Sequence, residues 1–140
     1  MTKIGRKAEM NAKNKITEDP HVSIVDDDNS VRRSTLRLLR SSGLRAEAFA
    51  SAGEFLQSKL IEETDCLVLD VSMPEMGGLE LQRRLAETSQ TIPIVFLSAR
   101  ASEEEESRAL QAGAASFLRK PVSKEVLLHA IRAAIEGRTN

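Results

Sequence analysis

Short apolar runs alternate with amphipathic stretches along most of this chain. The apolar runs have the length of strands, and near-continuous runs of this kind are typical of strands buried in a parallel sheet. The stretches between them repeat apolar residues at helical spacing. The predicted strands are residues 22–25, 45–49, 66–69, 94–97 and 116–118. The predicted helices are residues 30–42, 52–61, 78–87, 103–112 and 124–136.

Five strand–helix units with short connections predict an α/β fold, in which a parallel sheet carries helices on both faces. Capping signals support three of the helix starts. Ser51 and Ser102 are each followed by a glutamate three residues later, which matches the S-x-x-E capping box. Ser123 is placed to cap the last helix.

Two of the predicted strands end in acidic residues. Asp70 directly follows residues 66–69, and Asp26, Asp27 and Asp28 follow residues 22–25. Open α/β sheets bind their ligands just outside the carboxyl ends of the strands, so these carboxylates are expected to meet at one edge. Two carboxylates ~4 Å apart repel by about 4 kcal/mol at an effective dielectric constant near 20. The cluster therefore predicts a divalent cation, and Mg²⁺ suits oxygen ligands of this kind.

Composition restricts the remaining classes of function. A hydrophobic content of 41% in 140 residues favours one globular domain. A net charge of −1 gives no electrostatic reason for binding nucleic acid or a membrane surface, and no apolar stretch is long enough to cross a membrane. The single cysteine, Cys66, fits a reducing cytoplasm. Residues 1–20 are predicted to be a disordered polar tail, residues 21–137 the domain, and residues 138–140 the end of the chain without an output domain.

The ordered set of motifs resembles the receiver domain of bacterial two-component response regulators. The motifs include Met73-Pro74, Ser98-Ala99 and Lys120-Pro121 besides the two groups of acids, and the resemblance covers about residues 21–136. Residues 78–85 look most like receivers that precede a helix-turn-helix transcriptional domain. The resemblance implies a flavodoxin-like, doubly wound (βα)₅ fold with five parallel strands in the order 2-1-3-4-5.

The resemblance also implies roles for the residues at the sheet edge. Asp70 matches the phosphoacceptor, with Lys120 and Ser98 completing the catalytic set. Asp27 matches the direct ligand of Mg²⁺ or Mn²⁺, and Asp26 would help directly or through water. Asp70 and the backbone carbonyl of Ser72 would also bind the cation, and no other cofactor is implied.

A second set of positions matches the switch of the family. Ser98 and Phe117 correspond to the hydroxyl and the aromatic residue that move on phosphorylation and repack the face of the fourth helix, fifth strand and fifth helix. The resemblance implies a cis peptide bond between Lys120 and Pro121 that aims the lysine amine at Asp70. Two departures, Gly77 and Ser123, stand where many members have aspartate, and neither touches the chemistry.

These roles imply a signalling phosphoacceptor that catalyses only its own phosphorylation and dephosphorylation. Its partner would be a sensor histidine kinase or a phosphotransfer protein, and phosphorylation could promote a homodimer. A hydrolase of the haloacid-dehalogenase type is disfavoured, because Ser72 stands where that class has a second aspartate. A pseudo-receiver that binds proteins without taking phosphate is the remaining alternative. The chain would act either as a stand-alone regulator or as the receiver of a transcriptional regulator, without binding nucleic acid itself.

Three further features have ordinary interpretations. Asp28 is better placed to cap the first helix than to bind a metal. Arg33, Arg37 and Arg40 share one stripe of that helix, which either steers the phosphodonor or is a solvated basic face. His129 is predicted to lie on the surface of the last helix.

Overall fold

A computed structural model describes residues 19–138, in which five strands alternate with five helices. The strands are β1 His21–Val25, β2 Arg45–Phe49, β3 Cys66–Leu69, β4 Ile94–Ser98 and β5 Ser116–Arg119. The helices are α1 Asn29–Ser41, α2 Ala52–Gln57, α3 Gly78–Ala86, α4 Glu103–Gln111 and α5 Lys124–Arg138. The polar tail predicted at residues 1–20 lies almost entirely outside the described residues, as do residues 139–140.

All five strands are parallel and lie in the order β2-β1-β3-β4-β5. This order confirms the predicted fold class. Strand β1 is therefore flanked by β2 and β3, and Val25 at its end pairs with Leu69 at the end of β3. The residues that follow β1 and β3 consequently emerge side by side.

Alternating side chains of the strands divide the core into two clusters, as expected for a sheet covered on both faces. In β3, Val68 packs in one cluster with Leu39 of α1 and Ile131 of α5. The next residue, Leu69, belongs to the other cluster and packs there with Leu81 of α3. Full burial of each such side chain stabilises the fold by roughly 1.5–3 kcal/mol. The apolar periodicity of strands and helices thus fixes which helices cover each face.

Helix α2 departs most from its predicted extent, because it ends at Gln57 and not at Ile61. The other elements differ from their predicted bounds by at most two residues at either end. Ser58 adopts an extended conformation, with φ −69° and ψ 167°. Its hydroxyl donates to the carbonyl of Phe55 at 2.7 Å and accepts the N–H of Leu60 at 3.3 Å. A serine side chain that bonds the local backbone in this way competes with helix continuation. Apolar periodicity carries no information about that competition.

Serine side chains cap three helices, as predicted. Ser102 forms a complete capping box at α4, and Ser123 accepts a backbone N–H of α5 at 3.1 Å. Ser51 accepts the N–H of Glu54 at 3.1 Å, but the Glu54 carboxylate accepts from Ala50 and not from Ser51. The box predicted at α2 is therefore shifted by one residue. In the described part of the chain, no helix combines the length and the apolar character needed to span a bilayer.

Candidate functional site

Three carboxylates meet at the carboxyl edge of the sheet, where β1 and β3 end next to each other. Asp26 and Asp70 are buried, with 3% and 8% of their surfaces exposed, whereas Asp27 is exposed. One oxygen of each acid can be chosen so that the three atoms lie within 4.8 Å of one another. The sequence-based expectation that these acids lie together is confirmed. Whether the three acids suit a metal ion depends on their other contacts.

Lys120 reaches the same edge from the turn between β5 and α5. The peptide bond between Lys120 and Pro121 is cis, as the family resemblance implied. The lysine backbone N–H donates to the carbonyl of Ser98 at 2.9 Å, and its amine lies 2.8 Å from Oδ2 of Asp26. The distance from the amine to Oδ2 of Asp70 is 3.9 Å. The expected orientation toward Asp70 is therefore only partly observed, because the shorter contact is with Asp26.

The two neighbouring acids of the β1–α1 loop differ in how much of their oxygen surface is available. Asp26 accepts the backbone N–H of Asp28 at Oδ1, at 2.9 Å, and the Lys120 amine at Oδ2. Asp27 has no hydrogen-bond or ion-pair partner within residues 19–138. The carboxylate oxygens of Asp27 are therefore free to bind an ion. Both oxygens of Asp26 already accept hydrogen bonds, so an ion that binds Asp26 would share one of these oxygens with its present donor or displace that donor.

Burial raises the pKa of the Asp70 carboxyl above its usual value, because water is largely removed from the charged form. The ammonium group of Lys120 opposes the rise and the carboxylate of Asp26 adds to it. The N–H of Ser72 lies 3.4 Å from Oδ1, so its stabilising hydrogen bond is weak. Additional positive charge in the pocket would therefore stabilise ionised Asp70.

The predicted switch residues lie on β4, which pairs with β3, and on β5, which pairs with β4. Ser98 ends β4, and its hydroxyl is fully buried near the Asp70 carboxylate without a hydrogen bond of normal geometry among the described residues. Phe117 of β5 is partly buried and stacks on Phe96, with ring centroids 5.5 Å apart and planes at 26°. A buried hydroxyl without a partner is uncommon, and it could serve a ligand beside Asp70.

Gly78, the first residue of α3, packs directly against the backbone that carries Asp70. A Cβ atom at this position would lie 2.2 Å from the carbonyl oxygen of Asp70. The N–H of Gly78 donates to the carbonyl of Val71 at 2.9 Å, which holds the helix start against the strand end. Between them, Glu75 has a φ of 68°, in the left-handed region that non-glycine residues rarely adopt. Neither backbone constraint was predicted from the sequence.

Two arginines beside the site were also missed. Arg32 donates to the carbonyl of Asp26 at 2.8 Å and to Oδ1 of Asn29 at 2.9 Å, and so braces the β1–α1 loop. Arg119 follows Phe117 by two residues, and residues at that spacing share one face of a strand. Its guanidinium carbon lies 5.4 Å from the centroid of the Phe117 ring, and this contact could have been foreseen from the spacing. The predicted cap is confirmed, because Asp28 accepts the N–H at the start of α1 at 3.0 Å.

The basic stripe of α1 is less uniform than its sequence suggests. Arg33 and Arg37 are exposed, but Arg40 donates to the carbonyl of Ala46 at 2.8 Å and so joins α1 to β2. His129 is exposed on α5, as predicted.

The chemistry of the acid cluster fits a metal ion. Asp26, Asp27 and Asp70 bring three carboxylates together, and Lys120 is the cation that contacts them within residues 19–138. Carboxylate oxygens are the ligands that hard divalent cations prefer. The arrangement could therefore hold such an ion, which would offset the excess negative charge.

The chain is similar to known proteins over most of its length. Residues 22–132 match the family described as the response regulator receiver domain. The chain is 46% identical over 115 residues to response regulator protein TmoT of Ectopseudomonas mendocina, which covers 82% of this chain and 52% of TmoT. It is also 41% identical over 114 residues to transcriptional regulatory protein TdiR of Thauera aromatica. The aligned residues cover 81% of this chain and 50% of TdiR.

Among solved structures, response regulator StyR is 44% identical and superposes with a TM-score of 0.78. That match covers 85% of this chain and 60% of StyR. This chain spans about half the length of the curated relatives it matches.

Proposed function

Because this chain belongs to the response regulator receiver domain family, we propose that Asp70 accepts a phosphoryl group in a reaction that needs a divalent cation. The observation that carries this proposal is the meeting of three carboxylates and one lysine amine at a single sheet edge. A buried nucleophilic carboxylate, acids suited to a metal and a nearby cation are the groups that phosphoryl transfer to aspartate requires.

The proposed reaction exchanges one bond at phosphorus for another. A carboxylate oxygen of Asp70 attacks the phosphorus of the donor, the bond between phosphorus and the donor breaks, and the donor group leaves with the bonding electrons. The product is an acyl phosphate on Asp70. Lys120 lies close enough to move toward the new phosphoryl oxygens, where its charge stabilises them.

Mg²⁺ or Mn²⁺ would be held by Asp27, Asp26 and Asp70 together with the backbone carbonyl of Ser72. Bound there, the ion supplies positive charge for the phosphoryl oxygens during transfer. Two observations support this assignment. The oxygens of Asp27 are free, and one carboxylate oxygen from each of the three acids lies within 4.8 Å of the other two.

Ser98 and Phe117 are proposed to report the phosphorylation. The buried Ser98 hydroxyl, which has no hydrogen bond of normal geometry among the described residues, would donate to a phosphoryl oxygen. Phe117 would then repack, and the surface formed by α4, β5 and α5 would change for a partner or for a second copy of the chain. Local chemistry at Asp70 would in this way alter a remote surface.

The alternatives have less support. A hydrolase needs an acid–base group beside the nucleophile, and the residue two positions after Asp70 is Ser72. A pseudo-receiver would keep the fold without the chemistry, yet the acids and Lys120 are all present and adjacent.

The proposed donor is a sensor histidine kinase or a phosphotransfer protein, acting in the cytoplasm, where the free thiol of Cys66 would remain reduced. The output is proposed to be transcriptional control, in line with the relative TdiR, a transcriptional regulatory protein. The DNA-binding activity would belong to another domain or protein, because this chain carries almost no net charge.

Incubation with acetyl phosphate and Mg²⁺, followed by intact-mass analysis, tests the proposal. We expect the mass of one phosphoryl group to be gained, and the gain to disappear with EDTA or in Asp70→Asn. Asp28→Asn is the matched control, because it removes one charge from the same acidic region but keeps a side chain that can cap α1. Absence of the gain both with acetyl phosphate and with a competent kinase would favour the pseudo-receiver.

A further inference from the structure

Arg119 joins three parts of the molecule, namely β5, the β4–α4 loop and α4. It is the last residue of β5 and pairs with Ser98 across the sheet. Its guanidinium group donates to the carbonyl of Ala101 in the β4–α4 loop at 2.7 Å and to Glu106 in α4 at 2.7 Å. One side chain therefore connects the end of β5 to the loop and to the helix that follow Ser98.

The same guanidinium group lies over the ring of Phe117, with 5.4 Å between its central carbon and the ring centroid. Phe117 also stacks on Phe96, so its ring contacts one core side chain and one surface cation. A guanidinium group at this distance from an aromatic face is attracted by the ring electrons. Movement of the ring would disturb the contacts of Arg119 with the loop and with α4.

We propose, on the premise that phosphorylation of Asp70 moves Ser98 and Phe117, that Arg119 is the positioning residue that couples the Phe117 ring to the β4–α4 loop and α4. The guanidinium group is planar and has several donors, so it can bond Ala101 and Glu106 while it stacks on the ring. Ala101 is buried, and its carbonyl therefore gives the loop a fixed point. A change at the ring then becomes a change at the first turns of α4.

Arg83 forms surface ion pairs like that of Arg119, but on or next to a single helix. Arg83 is also exposed and also binds carboxylates, Glu80 and Glu87, each at 2.7 Å. All three residues lie on or next to α3, so their ion pairs join no separate elements. Truncation of either arginine thus removes surface ion pairs, but only truncation of Arg119 removes a hydrogen-bonded link between β5 and α4.

The first measurement uses the four phenylalanines of the chain as fluorinated probes. Phe96 and Phe117 form the stacked pair beside Arg119, whereas Phe49 and Phe55 form a separate edge-to-face pair that serves as an internal control. We expect Arg119→Ala to shift the ¹⁹F resonance of Phe117, assigned with Phe117→Leu, and to leave the Phe49 and Phe55 resonances in place. Arg83→Ala should leave all four unchanged. An unshifted Phe117 resonance in Arg119→Ala would overturn the inference.

The second measurement follows amide hydrogen exchange of residues 101–106 with and without phosphorylation. Without phosphate, we expect Arg119→Ala to speed exchange there by about fivefold, and Arg83→Ala to have no effect there. With acetyl phosphate and Mg²⁺, we expect wild type to change its exchange at these residues. Arg119→Ala should take up the same amount of phosphate with little further change in exchange. A full response in phosphorylated Arg119→Ala would contradict the coupling.

The two proposals fail in different ways. If wild type takes up no phosphate from acetyl phosphate or from a kinase, the proposed function fails and the regulatory role of Arg119 fails with it. If wild type is phosphorylated and the variant responds as wild type does, only the role of Arg119 fails. Arg119→Lys gives a further readout, because it keeps the positive charge but loses the planar guanidinium group with its several donors. We expect this variant to show only part of the change in hydrogen exchange that wild type shows on phosphorylation.

Discussion

The amine of Lys120 forms its short ion pair with Asp26, at 2.8 Å, and lies 3.9 Å from Asp70. Asp26 is nearly buried, so its carboxylate depends on this partner for compensation. A divalent cation that binds Asp26 would add a second positive charge close to the amine. Lys120 and a cation bound at this site would therefore compete for the same acid.

Replacement of Lys120 by methionine should have opposite effects on the affinity for Mg²⁺ and on the rate of phosphorylation. Removal of a unit charge about 4 Å away changes the local electrostatic energy by up to about 4 kcal/mol at a dielectric constant near 20. We expect Lys120→Met to bind Mg²⁺ at least about tenfold more tightly, as measured by calorimetric titration. Its phosphorylation by acetyl phosphate should nevertheless slow by about 100-fold, because one group that stabilises the transition state is lost.

Lys124 provides the control for that variant. It lies exposed in the first turn of α5 and forms no ion pair with the three acids within residues 19–138, and Lys124→Met changes the net charge by the same amount. We expect its affinity for Mg²⁺ to equal that of wild type. Equal affinities in Lys120→Met and wild type would show that the amine does not compete with the cation.

Gly78 and Gly53 predict opposite effects of the same substitution. Gly78→Ala places a Cβ 2.2 Å from the carbonyl oxygen of Asp70, so the helix start or the strand end must shift. We expect a loss of about 2–3 kcal/mol in the free energy of unfolding. At Gly53, the nearest atom to a new Cβ is the Ser51 hydroxyl at 3.8 Å, and Gly53→Ala should gain about 0.5–1 kcal/mol. Urea unfolding monitored by circular dichroism measures both, and a Gly78→Ala variant as stable as wild type would refute the first expectation.

The fold was predictable because its determinants are periodic. The run from Cys66 to Leu69 is apolar on both faces, and the structure buries it on both faces. The strand order came from the family resemblance and not from the periodicity. The early end of α2 was not predictable, because it depends on the rotamer with which the Ser58 hydroxyl bonds the backbone.

The candidate site was predictable as a set of positions but not as a set of contacts. Because β1 and β3 are paired parallel strands, the residues that follow them, Asp26 and Asp70, lie at the same edge of the sheet in any side-chain conformation. The choice of Lys120 between those two acids depends on side-chain torsions over a flexible four-carbon stem. The contacts of Arg119 with Ala101 and Glu106 depend on where the β4–α4 loop and α4 lie relative to β5, and a tertiary arrangement of this kind leaves no trace in local spacing.

His21 predicts a loss of stability in mild acid. Burial lowers the pKa of its imidazole, and Arg45 acts in the same direction. The unfolded chain therefore binds a proton near pH 6.5, while the folded chain binds it only at lower pH. Stability should be unaffected by this group above about pH 6.5. It should fall below that pH by up to about 1.4 kcal/mol per pH unit, until the folded state is also protonated.

Urea midpoints between pH 7.5 and 5.5 test this expectation. Other groups titrate as well, so the informative quantity is the difference in slope between wild type and His21→Phe. We expect the variant to lose less stability than wild type over this interval. The exposed His129 provides the control, since His129→Gln should follow wild type. Parallel curves for His21→Phe and wild type would exclude the proposed proton uptake.

Cys66 offers a test of metal binding that needs no phosphorylation. Its thiol is fully buried, and burial raises its pKa to about 12. Iodoacetamide reacts with thiolates, so at pH 8 it should modify Cys66 only in molecules that have opened β3. Because Asp70 directly follows the same strand, an opening that exposes Cys66 also disrupts the cluster of acids.

Mg²⁺ should therefore slow the alkylation of Cys66, because the ion must leave before the strand opens. At a free concentration of 100 times the dissociation constant, the opened population should fall by about 100-fold. Asp27→Ala removes the acid whose oxygens have no partner within residues 19–138, and its alkylation rate should respond far less to Mg²⁺. Equal rates in wild type with and without Mg²⁺ would mean that the folded acids do not hold the ion. A graded response that follows the concentration of Mg²⁺ would give its affinity for the unphosphorylated site directly.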